Sequence, residues 1–230
     1  VECVTPVFDS IPRHQALFDG GYAIVPAVDG LYVTYAYTLT GGALLQWYRD
    51  QFAAGFQAEA KAAGKSIYAL LDEKVKPDPT GLLLLPHFAG AATPYMDIHA
   101  KGAICGLSLE NDAADVYQAM LEGICYETRM NLELLEQAGI VIDSLRATGG
   151  GARSGAWLQI KADVLGKPID TLNVDEAGTV GSLMLAGLAT GEYASLEQAA
   201  GLVHTVRRLK PAENRDRYAP IYGRYRRGYD

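Results

Sequence analysis

The chain has 230 residues, with 27 acidic against 20 basic side chains and a net charge of -7. That balance excludes a general nucleic-acid-binding surface, and the length suffices for a sizeable buried core. Apolar residues make up 49% of the chain, and no apolar run reaches membrane-spanning length.

Val1-Glu-Cys-Val-Thr5 reads as a strand. A domain that opens on a strand without an initiating methionine is expected to be cut from something longer. Tyr22 to Val28 and Leu31 to Thr38 are β-rich runs joined by Asp29-Gly30, a pair that favours the positive φ angles of a type I′ hairpin turn. A helix is expected from Gly41-Gly42, with Leu44, Leu45, Trp47 and Tyr48 available for one face. Helix continues from Ala53 to Glu73, interrupted at Gly55 and Gly64, and Lys76 to Gly81 is a turn or loop. Leu82 to Leu85 is a buried strand ending at Pro86. Asp115 to Gly139 is the clearest helix, striped by Val116, Ala119, Met120, Gly123, Ile124, Leu134 and Leu135.

Ser144 to Thr148 is a strand that runs into Gly149, Gly150 and Gly151. Ala156 to Leu165 is the helix that follows, stopped by Gly166 and Pro168. Ile169 to Val174 is the next strand, and Thr179 to Leu188 is a helix whose small residues suit close packing on a neighbour. Hairpin strands followed by alternating strands and helices predict an α/β domain with a mixed sheet flanked by helices.

The glycine triplet fits two uses. It makes a plain tight turn, and it also lets a ligand approach bare backbone beside the N–H groups of a helix start. Cys3, Cys105 and Cys125 have no CxxC spacing, which suits a reducing, cytoplasmic setting, with Cys105 and Cys125 expected in the core. The four histidines share no ligand spacing, so no zinc site is expected. The basic C-terminal stretch, interleaved with Tyr218, Tyr222, Tyr225 and Tyr229, reads as a solvated helix with packed rings.

Five segments together carry a resemblance. Gly102-Ala-Ile-Cys-Gly106-Leu107, a seven-residue spacer and Asp115-Val-Tyr-Gln-Ala119-Met-Leu-Glu122-Gly123 resemble the second signature of the FGGY carbohydrate kinases. Leu82 to Gly90, with Pro94-Tyr-Met-Asp97 and Ala100-Lys-Gly102, resembles that family's segment just upstream. Thr148-Gly-Gly-Gly-Ala152-Arg-Ser154-Gly-Ala-Trp157 through Gly166 is similar to its adenosine-binding motif, and Glu176 to Gly187 to the helix that follows. Gly41-Gly42-Ala43 before Trp47 also fits.

The resemblance implies an actin-like ATPase fold of the ribonuclease-H-like kind. Residues 1–230 would be the C-terminal, nucleotide-binding domain. ATP with Mg2+ would be the phosphoryl donor and a sugar or polyol the acceptor. The catalytic aspartate and a Gly-Thr phosphate loop would lie upstream of Val1, so no catalytic residue is expected within the chain.

The same resemblance places Gly149, Gly150, Gly151, Ala152, Ser154, Gly155 and Gly106 at the nucleotide. A branched side chain at Gly151 is then expected to block nucleotide approach and spare the fold. Trp157 is expected to anchor the core, and Glu122 to bond neighbouring groups rather than perform acid–base chemistry. Glu176 is expected to be a helix N-terminal charge, and Asp97 and Lys101 either to face the cleft or to be solvated loop charges. A homodimer is the family's common form, and the sugar is left unspecified. Two other classes stay open: a nucleotide-sensing or assembly module on the same fold, and an interaction domain with a purely structural glycine turn.

Overall fold

The computed structural model describes residues 1–228, so Tyr229 lies outside the described residues. The first strand is broken at Thr5-Pro6 into β1 (Glu2–Val4) and β2 (Val7–Phe8). Proline brings no N–H to a ladder, and the chain continues on a shifted line. Helix α1 (Gln15–Asp19) leads to β3 (Ile24–Pro26), β4 (Tyr32–Thr34) and β5 (Ala36–Thr38). The expected single strand from Leu31 to Thr38 is therefore split at Tyr35. Its two halves serve the two halves of the first strand: Glu2 lies opposite Thr38, and Val7 opposite Val33. The hairpin between β3 and β4 turns at Asp29 (φ 59°) and Gly30 (φ 74°), both in the left-handed region as expected.

Helix α2 (Gly42–Phe52) buries Leu44, Leu45 and Tyr48, whereas Trp47 stays exposed against Phe52 and Phe88. The next break falls at Ala53 and not at Gly55, which lies inside α3 (Ala54–Ala62). Ala53 is 1% exposed and packs in the core, so tertiary packing sets the kink there. Gly64 (φ 65°) does end the segment, and α4 (Ile67–Glu73) restarts with Ser66 as its cap.

Strands β6 (Leu83–Leu85) and β7 (Ala103–Cys105) pair antiparallel. Cys105 is exposed, contrary to expectation. Strand β7 pairs only with β6 among the described residues, and Cys105 is its last residue. Cys125 is buried as expected.

Helix α5 (Ala113–Gln137) is the spine of the fold. A reciprocal cap between Asp112 and Asp115 starts it two residues before the expected point. It packs on α2, β5, β6 and α6 (Gly155–Leu165), so nearly every face is buried. Gly123 permits the contact with β6: a Cβ there would fall inside van der Waals contact of the Leu84 carbonyl oxygen.

Strand β8 (Leu145–Ala147) runs parallel to β9 (Ile169–Leu172). Strand β10 (Thr205–Leu209), not foreseen in the sequence, pairs antiparallel on the other side of β9. Its residues are mostly exposed, so it has little hydrophobic alternation to betray it. Helix α6 ends at Gly166 in the left-handed conformation. Helix α7 (Ala177–Thr190) packs closely at Gly187, where a Cβ would run into the Tyr193 ring, but not along its first half. Gly178 and Gly181 face open space, and Leu183 and Leu185 are exposed. Helix α8 (Leu196–Ala200) lies against it.

Helix α9 (Arg215–Tyr225) turns its arginines outward and buries Tyr218, Tyr222 and Tyr225 around Tyr126, as expected, whereas Arg207 and Arg208 of the same basic stretch lie on β10 and not on a helix. Among the described residues, no helix is long and apolar enough to cross a membrane.

Candidate functional site

Strand β8 delivers the chain to Gly149, whose φ of 78° belongs to the left-handed region. Gly150–Arg153 then makes one turn of 3-10 helix, closed by Ala152 N–H to the Gly149 carbonyl (3.1 Å) and Ser154 N–H to the Gly151 carbonyl (3.3 Å). Ser154 caps α6, its hydroxyl accepting from the Trp157 amide at 3.0 Å.

Gly149 through Ser154 line one wall of a cleft of about 1250 Å³. A Cβ on Gly149 or Gly150 would meet nothing within 4 Å, so their backbone is bare toward solvent. Gly151 differs: a Cβ there would stand 2.8 Å from the Trp157 ring. The expectation that a branched residue at 151 would spare the fold is thereby corrected, because the third glycine makes room for the protein's own indole.

The structure brings Gly149, Gly150, Gly151, Ala152 and Ser154 together on the cleft wall. Gly155 lies just beyond, exposed and with Arg207 beside it. Gly106 (φ 93°) sits after β7 near Leu82, away from this cleft. Trp157 is 3% exposed and so anchors the core, while also flooring the cleft.

The rest of the lining includes groups that no local sequence pattern marks. Gly42, at the start of α2, and Ser66, Tyr68, Ala69 and Asp72, from the cap and body of α4, line the same cleft as the glycine turn. Ser66, Ala69 and Asp72 are spaced by three, the only sequence trace of their shared face. The Tyr117 hydroxyl donates to Asp72 Oδ1 at 3.0 Å. Burial raises the Asp72 carboxyl above its ordinary value, opposed by hydrogen bonds from Ser154 and Tyr117.

Lys161, on α6, forms an ion pair with Glu2 of β1, and its ammonium stands 4.1 Å over the Trp157 ring. This pair ties the first strand to the helix that follows the glycine turn. Arg153, exposed on the turn, reaches Asp175 at 3.3 Å.

Other expected roles fall outside the cleft. Glu122 is fully buried and accepts from Thr80 N–H (3.0 Å), the Thr80 hydroxyl (2.7 Å) and Gln118 (2.9 Å), as expected of a structural carboxylate. Glu176 stands at the N-cap of α7 but makes no side-chain cap bond. Asp97 accepts from the His99 amide.

A cleft with a bare glycine backbone on one wall and the cap of a helix beside it suits a phosphorylated nucleoside. Comparison with known proteins gives the family. Residues 12–190 match the FGGY family of carbohydrate kinases, C-terminal domain. The chain is 32% identical over 220 residues to glycerol kinase of Caldanaerobacter subterraneus subsp. tengcongensis, covering 90% of this chain and 43% of that protein. It is 31% identical over 224 residues to glycerol kinase 2 of Thermotoga maritima, covering 91% and 44%. Among solved structures, xylulose kinase from Rhodospirillum rubrum superposes with a TM-score of 0.80 at 25% identity, over 99% of this chain and 44% of that one. The chain thus spans less than half the length of the relatives it matches. Its fold is that of the FGGY sugar kinases, with the actin-like α/β architecture. By motif, topology and kinship, the chain belongs to the FGGY family of carbohydrate kinases, as its C-terminal domain.

Proposed function

We propose that residues 1–230 form the nucleotide-binding half of an ATP-dependent carbohydrate kinase. In the complete enzyme the γ-phosphate of ATP passes to a hydroxyl of a sugar or polyol. The observation that carries this reading is the bare backbone of Gly149 and Gly150 on a cleft of about 1250 Å³. A volume on the order of 300–1,000 Å³ already holds a typical small ligand. The names of the relatives, glycerol and xylulose kinases, point to a small polyol or ketose acceptor.

In this reading Gly149, Gly150, Gly151 and Ala152 seat the nucleotide along their main chain. Ser154 positions the turn through its cap, and Gly42 at the start of α2 lines the same cleft. The chain contributes alignment, on which phosphoryl transfer chiefly depends. The group that takes the acceptor's proton belongs to the other half of the enzyme. Mg2+ accompanies ATP.

Calorimetric titration with ATP tests the proposal on the wild-type chain and on Gly150→Val. Gly150 faces open space, so the fold should survive while the new side chain fills the seat. Loss of binding in the variant is the expected result; equal affinity in the two proteins would remove the glycine turn from the site.

A further inference from the structure

We propose that Asp72 binds the nucleoside, its carboxylate accepting the ribose hydroxyls of the nucleotide seated on the glycine turn. This rests on the nucleotide reading above and adds a residue that neither the sequence motifs nor the family match assigns.

Asp72, on α4, lines the same cleft as Gly149 through Ser154 and lies beside Ser154 at the end of the glycine turn. Ser66, Tyr68 and Ala69 line the cleft from the same helix and its cap. The group is half-buried, so any hydrogen bond it makes is stronger than one in bulk water.

Its partners are neutral. Tyr117 donates to Oδ1 at 3.0 Å, and the Ser154 hydroxyl at the cap of α6 lies beside the carboxyl and favours its charged form. Among the described residues no lysine or arginine pairs with it. An ionised carboxylate has about four acceptor positions, and two hydroxyls use two of them. What remains is a fixed anionic acceptor, tied through Ser154 to the exit of the glycine turn. Because two side chains from α5 and α6 hold it, little freedom is lost when a ligand donates to it.

Charge decides which part of a nucleotide belongs there. A triphosphate beside an unpaired carboxylate would be repelled, so the phosphates lie away from α4. A purine edge mixes donors with acceptors, and the acceptors would oppose Asp72. A ribose diol offers two adjacent donors, the pattern that a carboxylate takes up when it binds a nucleotide's ribose.

The test is titration of the full chain with ATP, 2′,3′-dideoxy-ATP and inosine triphosphate, for wild type, D72N, Y117F and G150V. Wild type is expected to prefer ATP over the dideoxy nucleotide roughly ten-fold, the equivalent of one charge-assisted hydrogen bond. D72N keeps one neutral acceptor oxygen but loses the charge, so its preference should fall several-fold toward unity. Y117F removes a partner of Asp72 but keeps the carboxylate, so it should keep the preference.

An unchanged ATP to dideoxy-ATP ratio in D72N overturns the proposal, and loss of ATP binding in G150V would then leave the nucleotide reading standing. A change confined to the ATP to inosine triphosphate ratio also overturns it, by moving Asp72 to the base edge. A preference that Y117F abolishes while D72N retains it also overturns the proposal, because the contact then runs through the Tyr117 hydroxyl. Should D72N fail to fold, the wild-type comparison alone decides, since equal binding of ATP and the dideoxy nucleotide contradicts a ribose contact. Absence of any nucleotide binding to wild type at millimolar concentration removes both readings.

Discussion

A Cβ on Gly151 would lie 2.8 Å from Cζ3 of Trp157, so the third glycine of the triplet and the indole six residues later share one space. The turn is thus built from two kinds of glycine. Gly149 and Gly150 are bare toward the cleft, and Gly151 is bare toward the core.

That division predicts opposite outcomes at adjacent positions. Gly151→Val should lower stability by about 1–3 kcal/mol, because the ring must move. Gly150→Val should leave the melting temperature nearly unchanged and abolish ATP binding. Thermal unfolding with calorimetry separates the two, and matching behaviour at both positions would contradict the division.

The Glu2–Lys161 pair joins the first strand to α6 in a largely buried setting. Lys161→Met alone should cost about 3 kcal/mol by leaving the Glu2 carboxylate without its partner. The double variant with Glu2→Gln should cost less than the sum of the two single changes. Urea unfolding of the four proteins gives the coupling directly, and simple additivity would show the pair to be inert.

Burial pushes the Glu122 carboxyl up from 4.5 to about 7, against the pull of its bonds from Thr80 and Gln118. Between those values the folded protein holds a proton that the unfolded chain has released. Stability from this group is therefore complete below about pH 4.5 and is lost as pH rises through about 7, by about 3 kcal/mol in all. Glu122→Gln cannot titrate and should flatten that part of the stability profile. A profile measured from pH 4.5 to 8 that keeps its slope in the variant would place the titration elsewhere.

Gly123 lets α5 lie directly on β6, where a side chain would run into the Leu84 carbonyl. Gly123→Ala adds a helix-favouring methyl group, yet should destabilise by about 2 kcal/mol or more, because backbone and not a flexible side chain stands in the way. A variant as stable as wild type in chemical denaturation would show that the two elements can separate at no cost.

Much of this architecture is legible locally. Asp29-Gly30 specifies its hairpin turn because the backbone there needs positive φ at two successive residues. The long helix through Glu122, the stop at Gly166 and the strand into the glycine triplet follow from periodicity and from glycine's freedom at φ > 0. Pattern also separated the buried tyrosines of the last helix from its solvated arginines.

Long-range neighbours decided the rest. The break at Ala53, the division of one expected strand at Tyr35 and the exposure of Cys105 depend on what each segment packs against. Strand β10 exists because β9 has an edge to pair with, not because its own residues alternate. In the cleft, the glycine wall could be read from composition, but Asp72, Tyr117 and Ser154 lie far apart in sequence and meet only when α4 and α5 close against α6. A residue's backbone preferences act within a few neighbours and are written in the chain. The partners of a carboxylate, and the purpose of a missing side chain, are set by whatever folding brings within a few ångströms.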